Sequence, residues 1–432
     1  MSRSRPHALF DAELEARPAA DRIAYLERRL RRTVAHAYAH APHVRAAMDA
    51  VGVAPEQVRH LGDLARLPIT HKDDLPALQA SDPPFGGLAA RPAGAMQRIF
   101  LSPGNIFDPQ GQGLDSWRFA PALAAAGFRA GDVVLNTFSY HLTPAGFMLD
   151  GGLRALGCAV VPSGPGQSEL QVKIAAALGA TGYVGTPSFL HTILQKAAEL
   201  GTPLAIAAAW VTAEMLPESL RRELETGHGI AVLQGYGTAD LGLLAYECAE
   251  QDGMHLHPEA IVEVLDRATG GPAEPGQPGE VVATIFDETY PLLRFATGDL
   301  SAFRADSGGP ADPGPHRCPC GRTAPKLAGI LGRVGDAVKV KGMFVRGSQM
   351  DEVVRGFPQV ARMQAVVTRS AHQDRLHFLV ELAAAGAPPQ DLAERLAAAL
   401  REQLKVRGDV ELVPPGTIPA GARKIDDRRV WT

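Results

Sequence analysis

The sequence predicts an α/β protein, with a large N-terminal domain of mostly parallel sheets and a small C-terminal α+β domain. Three observations lead there. The chain has 432 residues, more than one ordinary hydrophobic core supports. Between about residues 130 and 235, short apolar runs alternate with helix-like stretches, the pattern of parallel strands joined by crossover helices. After Gly332-Arg333 a new set of strand- and helix-patterned segments begins, about 100 residues with an apolar set of its own. The division is therefore read as 1–332 and 333–432.

Taken in order, residues 20–50 read as helix, because Ile23, Leu26, Leu30, Val34 and Tyr38 recur at helical spacing. A short element, Val58 to Leu64, ends before Pro68-Ile69-Thr70. The alternating region offers strands at Val133–Leu135, Cys158–Val161, Tyr183-Val184 and Ile230–Leu233, with helices such as Glu169–Leu178 and Pro217–Glu225 between them. Gly164-Pro165-Gly166 and Gly185-Thr186-Pro187-Ser188 directly follow two of these runs, where a ligand of a parallel sheet binds. Ile261–Leu265 and Val281–Ile285 read as strands separated by a Gly/Pro-rich stretch, and Asp306–Pro315 reads as loop. In the last hundred residues, Gln364–Val367, Phe378–Leu382 and Val410–Val413 read as strands, and Leu392, Leu396, Leu400 and Leu404 line one helix face.

Apolar residues make up 46% and charged residues 21%, with a formal net charge of −4. That balance gives no electrostatic case for nucleic acid or an anionic membrane. No apolar run is long enough to span a bilayer. The basic start Met1-Ser2-Arg3-Ser4-Arg5-Pro6 runs into Asp11, Glu13 and Glu15 and not into an apolar stretch, which argues against a secretory signal. Four cysteines in a chain of this length make no disulfide scaffold, so a reducing cytoplasm is expected.

Three segments carry the chemistry: Gly235-Tyr236-Gly237-Thr238-Ala239-Asp240, Thr297-Gly298-Asp299, and Arg423-Lys424-Ile425-Asp426 near the end. Each has an ordinary structural reading: the first two are turn patterns, and a lysine near a terminus is commonly just solvated. Their order and distances, with Leu67-Pro68-Ile69-Thr70-His71-Lys72-Asp73-Asp74-Leu75 and Gly182-Tyr183-Val184-Gly185-Thr186-Pro187-Ser188, resemble the phenylacetate–CoA ligase family of the acyl-adenylate-forming superfamily. The likeness covers nearly the whole chain. It implies an adenylate-forming large domain with a mobile C-terminal lid, and an enzyme that joins a carboxylic acid to coenzyme A through acyl-AMP, consuming ATP.

Carried over residue by residue, the resemblance makes Lys424 the catalytic lysine of acyl-adenylate formation, since a compact charge can bridge acid and α-phosphate. Asp240 stands where the family holds Mg²⁺ on a carboxylate, usually a longer Glu. Gly235, Tyr236, Gly237 and Thr238 would frame the acid and adenylate, and Asp299 would hold the ribose hydroxyls. Ala213 and Glu214, after Thr212, would line the adenine pocket; a helix N-cap fits that segment equally well. Arg333 would face the nucleotide. Gly335 and Asp336 would form the interdomain hinge, and Lys339-Val340-Lys341-Gly342 the loop that enters for the thioester step. Phe138, Tyr140 and His141 would lie at the acyl pocket, aromatics there suiting a flat apolar acid; core packing is the other reading of Phe138.

Two segments stand apart. The family's phosphate loop falls at Leu101–Pro109, where Ser102 and Gly104 keep its outline, but Phe107 and Asp108 replace its second glycine and its lysine. An acid there would repel phosphate. Cys318-Pro319-Cys320, with Cys248 and nearby histidines (His255, His257, His316), suggests a structural Cys₃His zinc site with His255 as fourth ligand; unligated thiols are the alternative. Some members of the family carry such a metal. The reading is thus a cytoplasmic acid–CoA ligase for an aryl or arylacetic acid, with ATP, Mg²⁺, CoA and zinc as cofactors or substrates, and by resemblance a homodimer. Two alternatives stay open: an adenylate-forming enzyme that transfers its acyl group to an amine or carrier thiol, and a non-catalytic homologue with binding or regulatory function.

Overall fold

The helical periodicity near the N-terminus produces the helix Ala19–His40, whose buried face is Leu26, Leu30, Val34 and Ala37. It stops where Pro42 opens the next helix, Pro42–Ala50, because proline supplies no donor to a preceding turn. Both cover Ile261, Phe286 and Leu293 of the large sheet region. The expected element at Val58–Leu64 is two short 3₁₀ turns, Pro55–Gln57 and Leu61–Arg66. The computed structural model describes residues 7–102, 104–312, 314, 317–334, 337–341, 343–370 and 373–429.

A two-residue strand, β1 (Thr70–His71), pairs Thr70 with Phe295 and sets the following lysine, Lys72, at the site described below. The stretch read as a phosphate loop is a hairpin, β2 (Ile99–Ser102) with β3 (Ile106–Pro109), in register Phe100↔Asp108. Its turn includes Gly104 (φ 105°) and Asn105 (φ 58°), conformations that favour Gly and Asn. Strand alternation sends Ile106 and Asp108 inward and leaves Phe107 41% exposed.

Five parallel strands follow: β4 (Val133–Asn136), β5 (Ala159–Pro162), β6 (Gly182–Gly185), β7 (Ala208–Val211) and β8 (Ala231–Thr238), in order β5-β4-β6-β7-β8. The crossovers are helices Ala145–Ala155, Ser168–Leu178, Pro187–Glu199 and Glu218–Arg222. Strand β7 escaped the sequence reading because its alanine-rich run has no period of two; every residue in it is fully buried.

The chain then changes mode. Strands β9 (Gly242–Tyr246), β10 (Met254–Leu256), β11 (Ala260–Leu265), β12 (Gly279–Ile285), β13 (Phe295–Phe303) and β14 (Lys326–Arg333) continue the same sheet with antiparallel pairings. The large sheet is thus mixed, parallel up to β8 and antiparallel beyond. Past Arg333 a separate core forms. The hairpin β15 (Ala337–Val340) with β16 (Met343–Arg346) leads to helix Gly347–Arg355, then β17 (Val360–Ser370) and β18 (Gln373–Leu382). Helix Leu392–Leu404 buries the predicted leucine stripe, followed by β19 (Asp409–Val413) and β20 (Ile425–Asp427), in sheet order β19-β18-β17-β20. Among the described residues no helix is long and apolar enough to cross a membrane.

One buried network ties the N-terminal region to strand β9, in the middle of the large sheet, and to the segment before β14. Glu15 Oε2 accepts from Arg322 Nε at 2.8 Å and from the Tyr246 hydroxyl at 2.9 Å, all three residues being almost inaccessible. Truncating one member strands a charge in a medium that cannot solvate it. Glu15→Ala is expected to lower unfolding free energy by about 3–5 kcal/mol in a denaturant titration, because Arg322 loses its counter-ion.

Candidate active site

Strand β13 presents Thr297 and Asp299 on one face, and Tyr236 on β8 reaches both. The Tyr236 hydroxyl lies 3.0 Å from Thr297 Oγ1 and 2.9 Å from Asp299 Oδ2. Asp299 Oδ1 pairs with Arg333 Nε at 3.1 Å, and Arg333 Nη2 also donates to the Thr297 carbonyl at 2.9 Å. Register accounts for this: Asp299 stands opposite Arg333 across the β13–β14 ladder. The Tyr236 ring is 6% exposed and sits in the core. Burial pushes its phenol well above the ordinary value, Asp299 adding to the effect, so it acts as a donor. Asp299 thus enters the site already oriented by a phenol and a guanidinium.

The turn after β8 carries Asp240, whose side chain is 0% exposed and whose Oδ2 pairs with the Lys72 ammonium. Lys72 is itself buried and arrives from β1, 168 residues earlier in the chain. Asp108 lies in the same cluster at 1% exposure, under the charges of Asp240 and Lys72. Burial raises its carboxyl well above the usual range, Asp240 raises it further, and Lys72 opposes both. Asp108 therefore faces Asp240 inside the fold, while Phe107 takes the outer side of the hairpin.

The glycines of this turn are required by packing. A Cβ at Gly235 would lie 2.6 Å from the Trp210 ring, and one at Gly237 would lie 2.6 Å from the Gly242 carbonyl. The Thr238 hydroxyl accepts from Leu241 N at 3.2 Å and closes the turn. Thr212 Oγ1 donates to the Gly235 carbonyl at 2.8 Å, fixing the segment in which Ala213 adopts φ 73°. Glu214 accepts from the Ser188 hydroxyl at 2.6 Å, and burial lifts its carboxyl. Ser102 is buried on β2, with Gly104 beyond it in the hairpin turn.

At the other side, Phe138 is 9% exposed, Tyr140 accepts from Asn136 Nδ2 at 2.7 Å, and His141 is exposed. Tyr140, Phe147, Phe100 and Trp117 form a chain of ring contacts with centroids 5.1–5.8 Å apart. Leu101 N donates to the Leu142 carbonyl at 2.9 Å, so the hairpin and this aromatic loop are one unit.

From the C-terminal region, Lys339 on β15 comes under the charges of Asp299, Arg333, Lys72 and Glu214. Burial draws its ammonium down to about 8, against the pull of Asp299. Arg346 reaches Asp73 at 3.0 Å. Lys424, in contrast, is half exposed and pairs with Asp351 of its own region. Gly335 and Asp336 lie outside the described residues, as do His316 and Gly342.

Cys248, His255, Cys318 and Cys320 do converge: their four ligand atoms lie within 4.8 Å of one another. Cys248 Sγ is 3.6 Å from Cys318 Sγ, and Cys320 Sγ is 3.5 Å from His255 Nε2. His255 Nδ1 faces the Ala324 carbonyl at 3.2 Å, the orienting bond that frees Nε2 toward the sulfurs. His257 points elsewhere, its Nδ1 accepting from Glu259 N at 3.0 Å.

Sequence reasoning gave no role to Lys72, Tyr290 or Ser188. Lys72 stood inside a quoted motif, but nothing in its spacing ties it to Asp240; only the β1–β13 pairing does.

This fold, a large mixed sheet with a small α+β region at its end and acids on strand β13 and on the turn after β8, is that of the AMP-binding, adenylate-forming enzymes. A profile of the AMP-binding enzyme family matches residues 114–284, and one of the AMP-binding enzyme C-terminal domain matches residues 342–430. The phenylacetate–coenzyme A ligase of Thermus thermophilus is 32% identical, across 95% of this chain and 96% of that protein. That of Aromatoleum evansii is 30% identical across 93% of each. The chain belongs to the phenylacetate–coenzyme A ligase family. Among solved structures, a 2-hydroxyisobutyryl-CoA ligase in complex with 2-HIB-AMP and CoA, in its thioesterification state, superposes with a TM-score of 0.88 at 25% identity, over 99% of this chain and 95% of that one. The same ligase in its postadenylation state superposes with a TM-score of 0.69. The two regions of the present chain are therefore arranged more as in the thioester-forming state.

Tyr236→Phe tests the junction at Asp299. Removing the phenol oxygen should cost about 1–3 kcal/mol of stability, since a buried carboxylate loses a donor; thermal unfolding beside wild type measures it.

Proposed function

We propose that this chain is an ATP-dependent acid–CoA ligase acting on an aryl or arylacetic acid. The observation that supports it most directly is the end-to-end likeness to a ligase bound to both acyl-AMP and CoA, beside relatives named phenylacetate–coenzyme A ligase. In the first step a carboxylate oxygen of the acid bonds to the α-phosphorus of ATP and pyrophosphate leaves. In the second the CoA sulfur, having lost its proton, bonds to the acyl carbon, and AMP leaves with the electron pair of the broken C–O bond.

Each candidate residue has a task in that sequence. Asp299, held by Tyr236 and Arg333, accepts from the ribose hydroxyls. Arg333 places a cation beside the phosphoryl end of the adenylate. The aromatic chain at Tyr140, Phe147 and Phe100 offers a flat apolar lining for the acid. Asp240 fits Mg²⁺: its Oδ1 is buried without a hydrogen-bond partner among the described residues, and its Oδ2 already holds a cationic group. When bound there the ion offsets charge on the phosphates.

Residues 333–432 are read as a lid that turns about Gly335-Asp336. In the present arrangement Lys339 faces Asp299, and Lys424 lies on the lid's own surface, as a thioester-forming lid requires. Adenylation needs the opposite face. Lys424→Ala should therefore lower acyl-AMP formation by at least about 10²-fold, the usual loss for one oriented charge donor. Supplied with preformed acyl-AMP and CoA, the variant should still make thioester. Equal loss in both half-reactions, with folding intact, would overturn the assignment. A wild type that makes no acyl-AMP from any of a panel of aryl acids would overturn the ligase reading itself.

The Cys₃His cluster fits structural zinc, since three thiolates and an imidazole, with ligand atoms within 4.8 Å of one another, would fill four positions and leave none open for catalysis. Purified protein is expected to carry about one zinc per chain. Cys318→Ser should lose it, with a fall in Tm. Elemental analysis of chelator-free protein showing no zinc refutes this.

A further inference from the structure

Asp108 has no part in the reaction just described, and a buried acid without a partner needs an explanation. It is 1% exposed, and neither carboxylate oxygen has a hydrogen-bond partner among the described residues. Two further orphans adjoin it. Asp240 Oδ1 is one, and the hydroxyl of Tyr290, 3% exposed, is the other; the charges acting on that hydroxyl are those of Asp108 and Asp240. A void of about 10 Å³, room for about one water, opens between Asp240, Tyr290, Pro109 and Trp117, with the opposite charges of Arg118 and Asp287 also on its wall. With both carboxyls ionised, Asp108, Asp240 and Lys72 would together carry −1 (two carboxylates and one ammonium), and without a further cation burial opposes that state at Asp108. A negative buried cluster is costly by itself and hostile to a polyphosphate.

We infer that Asp108 and Asp240 together form a two-carboxylate site for a hard divalent cation, Mg²⁺ by its ligand chemistry. Tyr290 and water complete the shell, and the Lys72 ammonium neutralises Asp240 when the cation is away. One or two carboxylates with retained water is the coordination Mg²⁺ prefers. A dication favours the ionised form of Asp108 and changes the ionised cluster from −1 to +1. The hairpin then attracts phosphate through a metal where related loops use a lysine, so Asp108 is a cation ligand and not a defect of the loop. This inference deepens the ligase reading and rests on it for the polyphosphate, but the cation site can be tested without ATP or acid.

The experiment is Mn²⁺ binding to zinc-loaded, nucleotide-free protein, followed by the loss of the free-ion electron paramagnetic resonance signal and competed with Mg²⁺. Wild type should bind one Mn²⁺ per chain that Mg²⁺ displaces. Asp108→Asn, which keeps the shape, should weaken binding by at least about tenfold, the lower end of what even an indirect ligand contributes. Lys72→Met should tighten it, because the ammonium no longer competes for Asp240. Unchanged Mn²⁺ affinity in Asp108→Asn, or no nucleotide-free site in wild type, overturns the proposal. If Asp108→Asn does not fold, Lys72→Met decides: unchanged or weaker binding there overturns it equally. Mn²⁺ binding as described in a protein that makes no thioester upholds the cation site and removes the ligase reading. Thioester formation without that site does the reverse.

Discussion

The contact on which the rest of the site depends is the hydrogen bond from Tyr236 to Asp299. Strands β8 and β13 are four strand spacings apart in the sheet order, a separation of about 19 Å in a flat sheet. The phenol nevertheless reaches Asp299 at 2.9 Å, so the sheet curls between β8 and β13. With that curl in place, Tyr236 of β8 meets Thr297 and Asp299 in the middle of β13, and Arg333 follows from the register of β14 against β13.

The curl has an electrostatic cost that the chain meets with cations drawn from distant segments. Asp240 is held by Lys72 from β1, Asp299 by Arg333 from β14, and Lys339 approaches from the C-terminal region. None of these is a surface ion pair of negligible worth. Each joins buried or partly buried groups, where losing one partner leaves an uncompensated charge. The same condition makes Asp108 conspicuous, since it shares the burial and lacks the donor.

The C-terminal region offers the site two different lysines on two different faces. Lys339 lies near Asp299, and Lys424 sits away from it against Asp351. A single rigid arrangement cannot place both at one phosphate. The better superposition on a thioesterification state than on a postadenylation state agrees with which of the two is inward. The C-terminal region has a core of its own and, among the described residues, meets the large one through contacts such as Arg346–Asp73, which is compatible with the proposed turning of a lid.

Much of this was legible in the chain itself. Leucine periodicity located helices Ala19–His40 and Leu392–Leu404, the alternation at 130–235 located the parallel strands, and the ordered turns named Asp240, Asp299 and the family. Spacing also gathered Cys248, His255, Cys318 and Cys320, which the fold brings within 4.8 Å. What the sequence could not show depends on pairing across long separations. Strand β7 has no alternation because both its faces are buried, and β20 is three residues defined only by its neighbour β17. Gly235 and Gly237 read as part of the frame around acid and adenylate, and the atoms their missing side chains make room for are those of Trp210 and Gly242. Lys72 meets Asp240 through one short parallel bridge, and Asp108 turns inward because its hairpin register says so. Local pattern determines which elements form and which chemistry they carry. Which charges share a cavity is decided by register and by the curl of the sheet, and these arise only when the whole chain has packed.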